Sequence, residues 1–130
     1  MAIQCFENMI FITFQKEGIH KFPAALTDTQ YSNGTDYDVS FLGYPHRHMF
    51  HFKIGIEVTH NDRDIEFIQF KRWCMNLFEH GTVMLDYKSC EMLADDLAEE
   101  IHLKYPGRDI IISVFEDGEN GCRKAYTPTI

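Results

Sequence analysis

The most regular feature of the chain is an alternation of apolar and polar residues that begins at His46. Successive side chains of a β-strand point to opposite faces, so alternate residues share a face. One such face would carry His46, His48, Phe50, Phe52, Ile54, Ile56 and Val58. The intervening positions are mostly polar and include His51. The pattern therefore predicts a half-buried strand with two histidines on its core face.

The other segments predict a short series of strands and helices. The expected elements are a strand over 3–14, a helix from Phe67 to Phe78 ended by Gly81, a helix from Ser89 to Pro106-Gly107, a strand over 109–116, and a last strand ending at Tyr126. The polar, turn-rich segment 27–43 reads as a loop over a site. The order strand, strand, helix, helix, strand, strand predicts an α+β fold with two helices laid on one antiparallel sheet.

Length and composition narrow the class of protein. A chain of 130 residues with 45% hydrophobic and 25% charged residues is typical of one globular domain, spanning 1–130. No apolar run approaches the ~20 residues of a membrane helix, so no membrane partner is expected. The formal net charge of −8 argues against a nucleic-acid partner, because phosphate contacts need clustered Lys and Arg.

The cysteines and aromatic residues add two expectations. The four cysteines form no C-x-x-C pair, and Cys74 and Cys90 fall in helical patterns where a small buried thiol is the simplest interpretation. Together with the lack of a secretory signal pattern at the N-terminus, this favours a reduced, cytoplasmic location. Eleven Phe and six Tyr suggest packed sheet faces, some of them at a subunit interface.

Three histidines form the candidate metal site. His46 and His48 are two residues apart on one strand face, so both imidazoles can reach one ion, and His20 lies upstream. Three imidazoles with one open position are a common ligand set for catalytic zinc. The alternative is that these are ordinary core or surface histidines, which is the more frequent outcome for an isolated His-x-His.

Six short motifs along the chain carry a family resemblance. In chain order they are His20-Lys21-Phe22-Pro23, His46-Arg47-His48, Glu66-Phe67-Ile68-Gln69-Phe70-Lys71, Phe78-Glu79-His80, Lys88-Ser89-Cys90-Glu91, and Glu116 followed ten residues later by Tyr126. In this order the chain resembles the 6-pyruvoyltetrahydropterin synthase family, whose bacterial branch makes 6-carboxytetrahydropterin on the way to 7-deazaguanines. The resemblance runs from about Phe14 to Tyr126.

The resemblance implies an architecture and an assembly. The fold would be the tunnelling fold (T-fold), a ββααββ arrangement with a four-stranded antiparallel sheet and two helices on one face. In the family such sheets join into trimeric barrels and then into hexamers, as dimers of trimers. Each site is then built from more than one subunit, so a homo-oligomer is expected.

The resemblance also implies roles for individual residues. His20, His46 and His48 would hold Zn²⁺, and Glu116 would anchor a pterin or guanine edge through two parallel hydrogen bonds. Glu91 would assist substrate binding, and Glu79 with His80 would form an acid–histidine pair that moves a proton. Read without the resemblance, Glu116 is a strand-end acid in water, Glu91 serves the helix dipole, and His80 lies at a helix C-terminus.

The residue at one position differs from the family pattern, and the functional interpretation depends on it. Family enzymes carry a catalytic cysteine four residues before the His-x-His, and Leu42 stands there. Asp36, Asp38 and Tyr44 are candidates for a substitute base.

Three functions remain open. The first is a zinc-dependent synthase or carbon–oxygen lyase of the 6-carboxytetrahydropterin type, which acts on 7,8-dihydroneopterin triphosphate. The second is a divergent enzyme for another pterin or guanine-like nucleotide. The third is a relative without catalysis that binds such a ligand or has only a structural role.

Overall fold

The computed structural model describes residues 2–32 and 38–129, and these form a sheet covered by helices. The elements are β1 (Met9–His20), α1 (Ala24–Thr27), α2 (Thr29–Ser32), a 3-10 helix (Ser40–Gly43), β2 (His46–Glu57), α3 (Phe67–Met75), β3 (Val83–Asp86), α4 (Cys90–Lys104), β4 (Ile110–Glu116) and β5 (Asn120–Tyr126). The predicted α+β class is confirmed.

The sheet is mixed and has the strand order β3-β1-β2-β4-β5. The pairs β1–β2, β2–β4 and β4–β5 are antiparallel, but the sheet as a whole is five-stranded and mixed, so the prediction of a four-stranded antiparallel sheet is wrong. The fifth strand, β3, was not predicted and runs parallel to β1 at the edge of the sheet. It is only four residues long, with Val83 and Leu85 buried and Met84 exposed, so its alternation is too short to recognise in the sequence.

The first strand lies later in the chain than predicted. The prediction of a strand over 3–14 is wrong at both ends, because β1 pairs along its whole length with β2, from Met9 opposite Glu57 to His20 opposite His46. Phe6, inside the predicted strand, is 97% exposed. Lys16 and Gly18 fall on the core face of β1 and interrupt its apolar series, which hides the second half of the strand from pattern analysis.

The core lies between one face of the sheet and the helices α3 and α4. The predicted buried face of β2 is confirmed, since Phe50, Phe52, Ile54 and Ile56 are all buried. The helices contribute the buried side chains Phe70, Cys74, Leu93, Ala94, Leu97, Ala98 and Ile101. Burial of these side chains is the main stabilising contribution to the fold, and it fixes the strand ends that carry the histidines.

The two long helices begin and end through local hydrogen bonds. The Ser89 side chain accepts from the Met92 amide at 3.2 Å, so the predicted N-cap of α4 is confirmed. Helix α3 ends at Met75, so the prediction that Gly81 ends it is wrong. The amides of Leu77 and Phe78 bond to carbonyls three residues back, which tightens the chain out of the α-helix. Within the described residues no helix is long and apolar enough to cross a membrane.

Candidate metal centre

The pairing of β1 with β2 brings the three histidines together. His20, the last residue of β1, lies directly opposite His46, the first residue of β2. His48 follows on the same face of β2, so its ring lies beside the other two. One nitrogen from each ring lies within 4.8 Å of the others, so the group can hold a metal ion. The ring centroids of His20 and His46 are 4.5 Å apart.

Each of the three imidazoles is oriented by an oxygen on its Nδ1 side. A backbone carbonyl can only accept, so Nδ1 must carry the proton where a carbonyl is the partner. In a neutral ring, Nε2 then carries the lone pair that can bind a metal ion. The partners are the Lys88 carbonyl at 2.8 Å for His20, the Tyr44 carbonyl at 2.8 Å for His46, and the Asp117 carboxylate at 2.6 Å for His48. Metal-binding histidines are held in this way by outer partners.

Two of the lone-pair nitrogens are buried without a hydrogen-bond partner. They are Nε2 of His20, a residue only 8% exposed, and Nε2 of His48. A buried polar atom without a hydrogen-bond partner destabilises the folded protein by about 1–3 kcal/mol. Two such atoms at one place therefore need an explanation. A cation held between the rings would satisfy both atoms, and three imidazole nitrogens suit zinc. The residues present therefore fit the metal that the resemblance implies.

Glu116 lies against the same nitrogens. Its Oε1 is 3.4 Å from Nε2 of His20, and its Oε2 is 3.2 Å from Nε2 of His48. These are ion-pair distances, and neither nitrogen is satisfied as a hydrogen-bond donor or acceptor. The close contact with the His20 ring lowers the pKa of Glu116 against the opposing effect of burial, and the positive charges that His48 and His20 carry when protonated lower it further. Burial acts to lower the pKa of His20, but Glu116 and the Lys88 carbonyl outweigh it and raise that pKa.

Asp117 belongs to the centre and was not predicted from the sequence. Besides its bond to His48, it accepts from the Met49 amide at 2.9 Å. The hydrogen bond from His48, and then the one from Met49, lower the pKa of Asp117. Its φ of 55° turns the chain directly after β4 and aims the side chain back at β2. The available signal was an acid immediately after a strand end, at a turn that continues with Gly118.

We expect Asp117→Asn to weaken metal binding by about 10- to 100-fold. Asparagine tolerates the positive φ and keeps a carbonyl oxygen, but it removes the charge that orients His48 and makes its ring a stronger donor. Competition against a chromophoric chelator measures the affinity. Asp62→Asn, an exposed acid paired with Arg63, is the control. Equal affinity in both variants would mean that Asp117 only shapes the turn.

A cavity of about 510 Å³ opens beside the histidines. His20, His46 and Glu116 line one part of it, and the exposed Glu91 and the partly buried Leu42 line another. Leu42 thus faces the cavity at the position where the resemblance expects a thiol. The volume lies within the ~300–1,000 Å³ that is usual for small-molecule sites.

Cys90 is a second residue of the cavity that was not predicted as part of the site. The expectation that it is a small buried thiol is confirmed, since it is 5% exposed. Its Sγ lies 3.9 Å from Oε1 of Glu116. Burial, and then the charge of Glu116, raise the pKa of Cys90 to about 12. The thiol therefore stays protonated near neutral pH, so it is a weak donor to Glu116 and no proton acceptor.

Glu79 and His80 lie elsewhere in the single chain. Both are exposed in the segment between α3 and β3. Glu79 lines a separate cavity of about 490 Å³ between that segment and α4. Neither residue lines the cavity of the histidines, so one chain does not join them to the metal centre. The acid–histidine pair stays a prediction.

The loop candidates for a substitute base do not line the cavity either, as far as the described residues extend. Asp36 lies outside the described residues. Asp38 and Tyr44 are exposed and absent from the cavity lining, although Tyr44 supplies the carbonyl that orients His46.

Comparison with protein-family models finds no match for this chain. Comparison with curated proteins finds no match either. The functional interpretation therefore depends on the geometry of the centre and on the motifs in the sequence.

Proposed function

We propose that the protein is a zinc-dependent pterin synthase of the 6-carboxytetrahydropterin type. It would act as a carbon–oxygen lyase on 7,8-dihydroneopterin triphosphate, in 7-deazaguanine (queuosine) or pterin biosynthesis. One observation carries the proposal: three imidazoles are each oriented through Nδ1, and two of their buried Nε2 atoms have no hydrogen-bond partner. The order of the six sequence motifs supplies the family and the substrate class.

Each residue of the centre has a separate proposed role. His20, His46 and His48 would hold Zn²⁺, which acts when bound as a Lewis acid that polarises a substrate oxygen and eases proton removal from the neighbouring carbon. Glu116 and Glu91 line the cavity and would hold the ring edge of the pterin as hydrogen-bond acceptors. Leu42 would contribute an apolar wall against the ring.

We further propose that the chain assembles as a T-fold barrel, a trimer that pairs into a homohexamer. Helices α3 and α4 cover one face of the sheet, while the other face carries partly exposed apolar residues such as Phe11 and Met49. A neighbouring subunit would then supply Glu79 and His80 to each cavity, which agrees with their exposure and their distance from the centre in one chain. The four cysteines are free, as suits a reducing cytoplasm.

Sedimentation velocity tests the assembly. We expect a species of about six times the 15.3 kDa chain mass. A monomer at micromolar concentration would contradict both the barrel and the shared site.

Mass-spectrometric product analysis tests the reaction. Zinc-loaded protein incubated with 7,8-dihydroneopterin triphosphate is expected to yield 6-carboxytetrahydropterin or a pyruvoyl product. His48→Ala should abolish the product, because it removes a metal ligand, while His102→Ala, an exposed position on α4, should leave it unchanged. Unchanged substrate in the presence of bound zinc contradicts the proposed reaction.

A second candidate follows from Leu42. An apolar side chain stands where the family thiol would be, and Cys90 in the same cavity is protonated, so the described cavity offers no thiolate base. This favours a divergent protein that binds or converts another pterin or guanine-like nucleotide. Calorimetric titration of the zinc-loaded protein with neopterin and with guanosine would detect such binding. Glu116→Ala should weaken it if Glu116 holds the ring edge.

A further inference from the structure

We propose that Glu116 is itself a metal ligand and completes a centre of three histidines and one glutamate. The inference deepens the proposed function, because it depends on a metal being held by His20, His46 and His48. It changes the role of Glu116 from an anchor for the organic ligand to a part of the metal centre, at least while no such ligand is bound.

The first support is a pair of distances. In a tetrahedral centre with metal–ligand bonds of about 2.0–2.2 Å, neighbouring ligand atoms lie about 3.3–3.6 Å apart. The carboxylate oxygens of Glu116 lie 3.4 Å from Nε2 of His20 and 3.2 Å from Nε2 of His48. Each separation is close to the spacing of two atoms that bind one ion, and the two distances involve different oxygens of the carboxylate. They are long for a charge-assisted hydrogen bond, which usually measures about 2.7–2.9 Å.

The second support is the chemical character of the atoms that lie between the two rings and Glu116. The Lys88 carbonyl makes Nδ1 of His20 the protonated nitrogen, so its Nε2 is a lone pair in the neutral ring. The Asp117 carboxylate does the same for His48. A carboxylate placed against two lone pairs is repelled by both unless a metal ion lies between them or each ring takes up a proton at Nε2. One metal ion binds all of these atoms at once, whereas two protons would be needed to replace it and would leave both rings positively charged.

The third support is that the backbone holds Glu116 in place. It is the last residue of β4 and pairs with Phe50 on β2 and with Asn120 on β5. Phe50 is two residues beyond His48 on the same strand face, so the ladder sets the carboxylate beside the imidazoles. The partly buried Glu116 side chain contacts both rings and the Sγ of Cys90, and these contacts limit the positions open to it.

The ligand set has a chemical consequence. Three imidazoles and a carboxylate give a divalent ion a net charge of +1, where three imidazoles alone leave +2. Such a set accepts Zn²⁺, Co²⁺ and Fe²⁺, whose preferred donors include imidazole and carboxylate. The same oxygens cannot hold a pterin edge and the metal together. An entering ligand must therefore draw Glu116 away or use Glu91, the other carboxylate that lines the cavity.

Cobalt substitution tests the inference with a readout that does not depend on activity. The parent protein titrated with Co²⁺ is expected to give the intense visible absorption of a four-coordinate ion. Glu116→Gln should bind Co²⁺ at least about 10-fold more weakly and show the weaker absorption of a higher-coordinate, hydrated ion. Glu91→Gln, a carboxylate of the same cavity, is the matched control and should keep both the affinity and the spectrum.

The outcomes separate this inference from the proposed function. If the parent protein binds no Co²⁺ or Zn²⁺, the metal centre itself is wrong, and the proposed function fails with it. If the parent binds and Glu116→Gln keeps the same affinity and spectrum, the centre stands and Glu116 is not a ligand. Should Glu116→Gln not fold, Glu116→Asp keeps the charge and withdraws the carboxylate by one methylene. An unchanged spectrum in that variant would equally overturn the inference.

Discussion

Replacement of His46 by alanine is expected to weaken zinc binding by more than about 100-fold. Loss of an outer partner of a metal-bound histidine already costs about 10- to 100-fold, and His46→Ala removes a proposed ligand itself. Its imidazole faces His20 across the strand pair and is held by the Tyr44 carbonyl. Affinity is measured by chelator competition and content by elemental analysis of dialysed protein.

His51→Ala is the matched control for this experiment. It makes the same substitution on the same strand, but His51 lies on the opposite face of β2. The parent and this control should gain stability from zinc, by about 4 kcal/mol at a free concentration 1,000 times the parent's Kd, while His46→Ala should gain less than about 1.5 kcal/mol at that concentration. If His46→Ala retains zinc with unchanged affinity, the three histidines are ordinary side chains at a strand end.

The part of the centre carried by one strand was predictable from the sequence. The alternation from His46 onward identified the strand, its buried face and the juxtaposition of His46 with His48, because all of these follow from the two-residue period of a β-strand. The position of His20 opposite His46 depends on the register of two strands separated by a long connection. Local pattern does not determine that register, and only the motif resemblance suggested it.

The hydrogen-bond partners of the histidines could not be predicted from local sequence patterns. Asp117 and His48 are 69 positions apart, and the Lys88 carbonyl and His20 are 68 apart. Such contacts arise from tertiary packing, in which β4 and the start of α4 are brought to the ends of β1 and β2. Cys90 was correctly expected to be buried, but helical periodicity does not say that its thiol faces Glu116. A four-residue strand such as β3 carries too little alternation to be recognised.

The largest expected loss of stability comes from Phe50→Ala. The Phe50 side chain is 0% exposed and packs in the core. It also lies under the metal centre, with its ring centroid 5.2 Å from that of His20 and 5.8 Å from that of His48. Removing a fully buried phenylalanine side chain costs about 3–5 kcal/mol, through lost burial and the cavity that remains. Urea denaturation followed by far-UV circular dichroism measures the free energy of unfolding.

Phe6→Ala is the control, since Phe6 is 97% exposed and its removal should change the free energy of unfolding by less than about 0.5 kcal/mol. Phe50→Ala should also weaken zinc binding, because the rings of His20 and His48 lose the contact with the Phe50 ring that limits their rotation. Zinc affinity and the stability of the core would then both depend on the Phe50 side chain. Unchanged zinc affinity in a folded but destabilised Phe50→Ala protein would show instead that the outer oxygens alone orient the imidazoles.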